Sequence, residues 1–373
     1  MARTCRTLSI TCFMILALAS PARADKNRLL LGVGFESAYD DNILQYSRDQ
    51  IALFESGIRP TRFSIESTDD AVFQPNVSLA YENDRGRRGG RTIRARVKGT
   101  FHSRNGTSDN RAMSLSWREE FGRNHALTLS AYRLPRFYLR QLFDEDAIVP
   151  YPSLSKYRRA EFGLTIASAV WRERLTRQSR LNFNYSFEHR DYNADFSERT
   201  SDTHEGGLGY DWNRRKSGSG FGLSGGYRRS NAKADDGDGV PLDDPDVSYK
   251  GVVLGAGGKV ELAHGRVGRL TGEADYEYRT RDYASDRPSD TSHYQRNDLL
   301  HDADVALRLA LPGRWSVRAF YQVEDNKASF AGAAPTVSDP ASYTRNQVGV
   351  DVDWSAVLWS RSGAAAGGEG RIP

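Results

Sequence analysis

Apolar and polar residues alternate with a period of two along most of this chain. In the stretch 269–279, one alternate set is apolar or small and the other is polar or charged. The first set is Leu270, Gly272, Ala274, Tyr276 and Tyr278, and the second is Arg269, Thr271, Glu273, Asp275, Glu277 and Arg279. Successive side chains of a strand point to opposite faces, so the pattern predicts a strand with one apolar and one charged face.

The same alternation recurs in about fourteen stretches, and turn-forming residues separate them. The predicted strands are 28–39, 72–82, 91–102, 111–121, 124–134, 157–170, 178–189, 204–213, 219–229, 247–262, 266–279, 297–310, 314–324 and 344–358. The pattern also fits any count from twelve to sixteen strands, because each strand is a short segment with a weak sequence signal of its own.

The connections alternate between short turns and long loops, which is typical of outer-membrane barrels. An even strand number places both termini on the side of the short turns, which we predict to be periplasmic. The six tryptophans fall near the short-turn ends of strands, at positions 117, 171, 212, 315, 354 and 359. Tyrosines and phenylalanines mark the opposite ends, so the sequence predicts two aromatic girdles at the membrane boundaries.

One face of nearly every predicted strand is ionic, and this favours a membrane barrel over a soluble one. The alternative is a large soluble all-β protein whose aromatic residues form its core. A soluble barrel of this size would fill its interior with apolar side chains, whereas charges inside require water. We therefore predict an all-β fold, an antiparallel transmembrane β-barrel of about fourteen strands in the cell outer membrane.

The two ends of the chain differ from the predicted barrel, which we place at 25–359. Arg3 and Arg6 precede an apolar run over 10–19, and Ala22-Arg23-Ala24 follows, so residues 1–24 are predicted to be a secretory signal peptide. Both cysteines lie in this segment, which leaves the predicted mature chain without disulfides. Residues 360–373 are rich in glycine and alanine, and we predict a disordered tail.

Over 25–359 the chain resembles Gram-negative outer-membrane β-barrels. The stretch Ala38-Tyr39-Asp40-Asp41-Asn42-Ile43 is similar to the exit of the first strand in several β-barrel porin families. This resemblance implies location and architecture but no particular substrate. The partners expected of such a protein are outer-membrane lipid and lipopolysaccharide, the barrel-assembly machinery and a small-solute ligand. The net charge of +4 comes with no basic helical stripe, so we expect no nucleic-acid partner.

The charged residues predicted to line the lumen form two groups. The basic group, on the third to seventh strands, is Arg94, Arg96, Lys98, Arg118, Arg159 and Arg180. The acidic group, on the eleventh to fourteenth strands, is Glu273, Asp275, Glu277, Asp302, Asp304, Asp351 and Asp353. In a closed barrel these groups lie on roughly opposite walls and create a transverse field across a water-filled lumen. The alternative is that they form ion-pair ladders that stabilise the wall and block the bore.

These features favour a porin-like passive channel for small hydrophilic or charged solutes. The alternative is a non-conducting structural barrel or an accessory of polysaccharide or surface-protein export. A lipid hydrolase is less favoured: Gly222-Leu223-Ser224-Gly225-Gly226 matches Gly-x-Ser-x-Gly, but the motif lies inside a predicted strand instead of a strand–turn–helix. We therefore predict no catalytic residues, no cofactor and no specific metal site.

Two long loops carry local signals. Ser47-Arg48-Asp49-Gln50 is a capping-box pattern, and the apolar residues after it predict a helix of about two turns. This helix either forms a constriction in the mouth of the barrel or covers its rim. Asp235-Asp236-Gly237-Asp238-Gly239 resembles part of a calcium loop, but a glutamate is missing at the twelfth position.

Overall fold

The computed structural model describes residues 26–57, 62–143, 157–214, 218–234, 245–288, 290, 292–330 and 342–362. Within these ranges, none of the helices has the length and apolar character needed to cross a membrane. The predicted signal peptide, the stretch 235–239 and residues 363–373 lie outside the described residues.

Fourteen antiparallel strands form one closed barrel in which each strand pairs with its neighbours in sequence. The strands are β1 Lys26–Asp40, β2 Asp70–Asp84, β3 Gly90–His102, β4 Asn110–Phe121, β5 His125–Phe143, β6 Tyr157–Arg174, β7 Ser179–Tyr192, β8 Ser201–Asn213, β9 Gly220–Ala232, β10 Tyr249–His264, β11 Arg269–Tyr283, β12 Arg296–Leu311, β13 Trp315–Phe330 and β14 Tyr343–Ser362. One α-helix, α1 Arg48–Glu55, lies in the loop after β1. Short 3₁₀ turns lie at Gly86–Arg88, Gly106–Ser108, Ala194–Arg199 and Pro312–Arg314.

The first and last strands close the barrel. β1 pairs with β14 along its whole length, from Lys26 opposite Ser362 to Asp40 opposite Gln347, with one register shift at Leu29/Leu30. Closure leaves none of the fourteen described strands with a free edge, which is the condition for a sheet to survive in lipid. The predicted fold class and strand count are confirmed.

The apolar face of the strands points outwards. Val97, Leu223 and Val305 are each more than half exposed, at 54, 55 and 52% of their maximum. Their neighbours in sequence on the other face are polar, charged or small. A soluble barrel would bury the apolar set instead, because exposed apolar surface in water favours association. The outer face is therefore built for a hydrocarbon solvent, which is the architecture of outer-membrane barrels.

Aromatic side chains line both ends of this outer face. Trp171, Trp315 and Trp359 are exposed at the short-turn end, whereas Tyr39 and Tyr227 are exposed at the long-loop end. Rings of this amphipathic kind settle where lipid meets water. The two predicted girdles are present in the fold.

Several strands are longer than predicted, and β5 and β14 are two examples. β5 continues past the predicted end at 134 to Phe143, and its pairing with β6 shifts register at Leu134/Phe137 and again at Tyr138/Arg140. Pro135 lies in the first shift, where its missing N–H removes no regular ladder bond. β14 runs to Ser362, beyond the predicted strand end at 358.

Placing a charge on the outer face should destabilise the barrel strongly. Val305 lies at the middle of β12 with its side chain outwards, so Val305→Arg is expected to lower the free energy of unfolding by about 2–4 kcal/mol. The matched control is Asn184→Arg at the middle of β7, whose side chain faces the lumen. Urea unfolding in lipid vesicles compares the two variants. Equal losses of unfolding free energy in the two variants would contradict the assignment of Val305 to the outer face and Asn184 to the lumen.

Candidate functional site

The inner face of β3 carries the first part of the predicted basic group. Arg94, Arg96 and Lys98 alternate with outward-facing Val97. The Arg96 Nε donates to Asn76 Oδ1 at 3.2 Å, and the Lys98 Nζ lies 3.8 Å from Glu36 Oε2. These contacts to β2 and β1 hold the Arg96 and Lys98 side chains against the barrel wall, so the two side chains do not extend across the bore.

The basic arc continues along the inner faces of β4, β6 and β7. Arg118 pairs with Glu120 on its own strand at 2.8 Å. Arg180 lines a large cavity together with Arg172, which was not among the residues predicted to line the lumen. The inward position of Arg172 could have been predicted from the alternation along β6, because Arg172 is in phase with inward-facing Val170.

Arg159 was predicted to line the lumen, and it lies outside the cavity that Arg172 and Arg180 line. It has the opposite phase along β6 to Arg172 and lies near the loop end of the strand. It pairs with Glu161 on the same face and lies 5.0 Å from the centre of the Tyr138 ring.

The inner face of β6 is apolar at this level because it packs on a loop. Ala160 is fully buried in a cluster with Leu142 and Phe196, the last of which comes from the loop between β7 and β8.

The predicted acidic group lies on the inner faces of β11, β12 and β14. Glu273 accepts a hydrogen bond from Arg308 Nε at 2.9 Å and lies 3.5 Å from Arg318, which also pairs with Asp304. Asp302 accepts from the Gln322 amide at 2.9 Å. These carboxylates are therefore partly compensated by cations and amides of the same wall.

The remaining acidic residues differ in their partners. Glu277 pairs with Arg279 on its own strand. Asp351 and Asp353 lie opposite Arg318 and Ser316 in the ladder between β13 and β14. Asp275 has neither an ion pair nor a side-chain hydrogen bond to any residue that the structure describes, so its carboxylate is left to water.

A cavity of about 930 Å³ joins parts of the two charged groups inside the barrel, along an arc from β6 to β13. Arg180 from the basic group lines it together with five of the acidic residues, Glu273, Asp275, Glu277, Asp302 and Asp304. Asn182, Asp211 and Lys259 also line it and were not predicted. The members of the predicted group that it does not include are Arg94, Arg96, Lys98, Arg118, Arg159, Asp351 and Asp353.

The cavity exists because three adjacent strands present glycines to the lumen. Gly209, Gly222, Gly255 and Gly257 line it on β8, β9 and β10. A Cβ at Gly257 would collide with the Asp275 carboxylate, and one at Gly255 would lie 2.5 Å from Ser224 Oγ. The glycines therefore give space to polar groups that reach over them, which is the role expected of glycine within a strand.

The loop between β1 and β2, residues 41–69, is called loop 1 below. Its helix α1 has the predicted capping box: Gln50 N donates to Ser47 Oγ at 3.3 Å, and Ser47 N donates to Gln50 Oε1 at 3.2 Å. The local prediction is confirmed, because these two bonds satisfy backbone donors that a helix start leaves free.

Loop 1 lies across the lumen at the long-loop end. The Gln45 amide donates to Glu324 on β13 at 3.1 Å, and Arg140 on β5 donates to the Leu44 carbonyl at 2.6 Å. β13 and β5 are six places apart in a ring of fourteen strands, so they are close to opposite walls. A segment bonded to inward-facing side chains on both walls must cross the bore.

An apolar cluster fixes loop 1 in this position. Leu44, Tyr46 and Phe63 are buried against Tyr138 of β5, and the Tyr46 and Phe63 rings meet edge to face at 5.4 Å between centres. Burial raises the pKa of Tyr46 to about 12, so its hydroxyl stays neutral. Loop 1 therefore narrows the lumen with packed side chains, and the constriction is the arrangement that the fold adopts.

Ser224 and the histidines do not form a hydrolytic arrangement within the described residues. Ser224 lies inside β9 and faces the cavity. Each histidine has a tyrosine or carboxylate partner: His102 with Asp109, His125 with Glu173, His189 with Asp202, His204 with Tyr185, His264 with Glu261, His293 with Asp290 and His301 with Tyr276.

Comparison with solved structures finds other outer-membrane barrels at low sequence identity. A bacterial polysaccharide outer membrane secretin is 11% identical with a TM-score of 0.46, covering 86% of this chain and 97% of its own. The outer membrane channel DcaP of Acinetobacter baumannii is 11% identical with a TM-score of 0.46, covering 90% and 99%. The anion-selective porin from Comamonas acidovorans is 10% identical with a TM-score of 0.41, covering 89% and 100%.

No protein-family model matches the chain. No curated protein matches it either.

Proposed function

We propose that this chain is a porin-like passive channel of the outer membrane for small hydrophilic or charged solutes. The observation that carries the proposal is the cavity of about 930 Å³ inside a closed barrel, lined by charges of both signs. Charges placed inside a barrel need water around them, and a hydrated bore with charged walls selects solutes by charge. The channel carries out no chemistry, and no catalytic residue or cofactor enters the proposal.

The proposed orientation places the short turns and both chain ends in the periplasm. Supporting it, the connection from β1 to β2 spans 41–69, whereas the one from β12 to β13 is the three-residue turn Pro312–Arg314. Outer-membrane barrels have short periplasmic turns and longer outer loops. Loop 1 then narrows the outer mouth, and the cavity opens towards the periplasm.

A second candidate is favoured by loop 1 itself. A loop that bonds to nearly opposite walls and packs an apolar cluster over Tyr138 restricts the bore. A barrel closed in this way would serve as a structural element or as an accessory to polysaccharide or surface-protein export. The two candidates differ in whether ions cross the purified barrel.

Conductance in planar lipid bilayers tests the proposal. We expect single-channel steps from the purified barrel and a selectivity that follows the wall charges. Asp275→Asn should shift the reversal potential in a salt gradient towards anion preference, and Arg180→Gln should shift it towards cation preference. Asp325→Asn is the matched control, because it removes a carboxylate from the outer face of β13. A barrel that stays silent even after loop 1 is removed would leave the second candidate.

A further inference from the structure

A single row of ladder partners runs round the cavity wall from a cation to a carboxylate. Arg180 of β7 lies opposite Asp211 of β8, and Asp211 lies opposite Gly222 of β9. Gly222 lies opposite Gly257 of β10, and Gly257 lies opposite Asp275 of β11. The two charged ends of the row are therefore four strand spacings apart, or ~19 Å along the wall.

The middle of this row has no side chains to fill the space. Gly222 and Gly257 separate the two ends, and both line the cavity. The Asp275 carboxylate leans over Gly257, at the position that a Cβ there would occupy. Asp211 reaches over Gly222 from the other side, since its Oδ1 lies 3.0 Å from the position of a Cβ there, while its Oδ2 accepts from the Asn182 amide at 2.9 Å. The bay between the ends is consequently open to a solute.

The charges at the two ends lack partners within the part of the chain that the structure describes. Arg180 has no ion pair or side-chain hydrogen bond there, and the β6 residue opposite it in the ladder is another cation, Arg174. Asp275 also lacks a cationic partner, because Arg318 of the same wall pairs with Asp304 and Glu273. Arg180 thus shares its end of the row with Asp211 but forms no salt bridge with it among the described residues, and the Asp275 end has no free cation beside it.

We propose that this row, Arg180–Asp211–Gly222–Gly257–Asp275, is a binding station for dipolar solutes with a carboxylate at one end and an ammonium at the other. Short linear peptides have this chemistry: an extended tripeptide spans ~10 Å, and the inward reach of the two charged side chains from a curved wall shortens the ~19 Å measured along the wall. The planar guanidinium of Arg180 binds the solute carboxylate through paired hydrogen bonds. Asp275 binds the ammonium. The inference rests on the proposed channel function and names its solute class.

Solutes with other charges bind to the row more weakly. An anion pairs with Arg180 but leaves the carboxylates of the far wall without a partner, and a cation does the reverse. A neutral sugar engages neither charge. Specificity of this kind arises from the charges left uncompensated by the wrong solute as much as from the contacts made with the right one.

Liposome influx of four matched solutes tests the station. The probes are triglycine, its N-acetylated anionic form, its cationic amide and a neutral disaccharide. We expect triglycine to enter fastest, and Asp275→Asn or Arg180→Gln to reduce its influx about tenfold, which corresponds to one charge-assisted interaction. The double variant should be no slower than either single variant, because losing one end already removes the two-point binding.

The neutral disaccharide is the internal control, since unchanged entry shows that each variant is folded and open. Asp325→Asn, on the outer face of β13, should leave all four rates unchanged. Equal influx of triglycine and its two blocked forms in the native barrel would overturn the station while leaving the channel in place.

Calorimetric titration of triglycine into the purified barrel separates the station from the channel. Heat that disappears in Arg180→Gln and in Asp275→Asn would support the station even in a barrel that passes no solute. The absence of binding heat together with non-selective influx would overturn the station alone.

Discussion

Removing loop 1 is expected to raise the single-channel conductance severalfold. The loop bonds to both β5 and β13, so its side chains take up space within the bore. The deletion can be made without stretching the barrel, because Ile43 N donates to the Thr68 carbonyl at 3.0 Å and the two ends of the loop are already adjacent. A short glycine–serine linker in place of 44–67 closes the gap.

Recordings in planar bilayers compare the truncated barrel with the native one. The same linker in place of 333–340 controls for the loss of a long loop as such, and this variant should retain the native conductance. A milder variant, Tyr46→Ala, removes the ring that packs against Phe63 and Tyr138. It should increase the frequency of brief openings more than their size. Unchanged conductance after removal of loop 1 would show that the constriction lies elsewhere.

The strands and their faces could be predicted from the sequence because a barrel repeats one rule. Each residue's face follows from its parity along the strand, so Val97 outwards and Lys98 inwards follow from alternation alone. Closure then follows from the number of strands and because the backbone N–H and C=O groups of every strand edge need hydrogen-bond partners in lipid. The loop end of β6 is less regular, because Ala160 packs there on Phe196 from a loop distant in sequence instead of facing water.

The cavity could not be predicted from the sequence because it depends on register between strands. Arg180, Gly222, Gly257 and Asp275 form one row only through four successive pairings along the ladder. A slip of one residue in any pairing would move the following members of the row to the other face. The spacing of the glycines along the chain does not contain this information.

The sequence left two positions open for the helix of loop 1, because its position also depends on contacts between residues that are far apart in the chain. The capping box at Ser47 is a local signal over four residues and predicts the start of α1. Whether the helix covers the rim or enters the mouth depends on Gln45 meeting Glu324, 279 residues later in the chain. A contact of that separation exists only after the barrel has closed.

The seam between β1 and β14 should be the most sensitive part of the wall to a single polar substitution. Asp40 is 1% exposed and accepts hydrogen bonds from Arg345 Nε at 2.9 Å and from the Gln347 amide at 2.7 Å. It also accepts from Asn42 N at 3.0 Å, which fixes the start of loop 1. One buried carboxylate thus joins the two terminal strands and orients the constriction.

Asp40→Ala is expected to lower the free energy of unfolding by about 3–5 kcal/mol, because it leaves Arg345 and Gln347 without their main acceptor. Glu324, 3.7 Å from Arg345, compensates part of that charge and moves the expected loss towards the lower end of the range. Asp40→Asn keeps the volume and one acceptor oxygen and should lose less. Urea unfolding in lipid vesicles measures all three proteins.

The control is an ion pair at the same end of the barrel that is exposed instead of buried. Lys327 lies 3.5 Å from Asp325 and its side chain is 69% exposed, so Lys327→Ala should cost less than about 1 kcal/mol. Comparable losses from Asp40→Ala and Lys327→Ala would mean that the seam is held by its backbone ladder alone. A much larger loss at Asp40 would show that barrel closure and the placement of loop 1 depend on the same buried carboxylate.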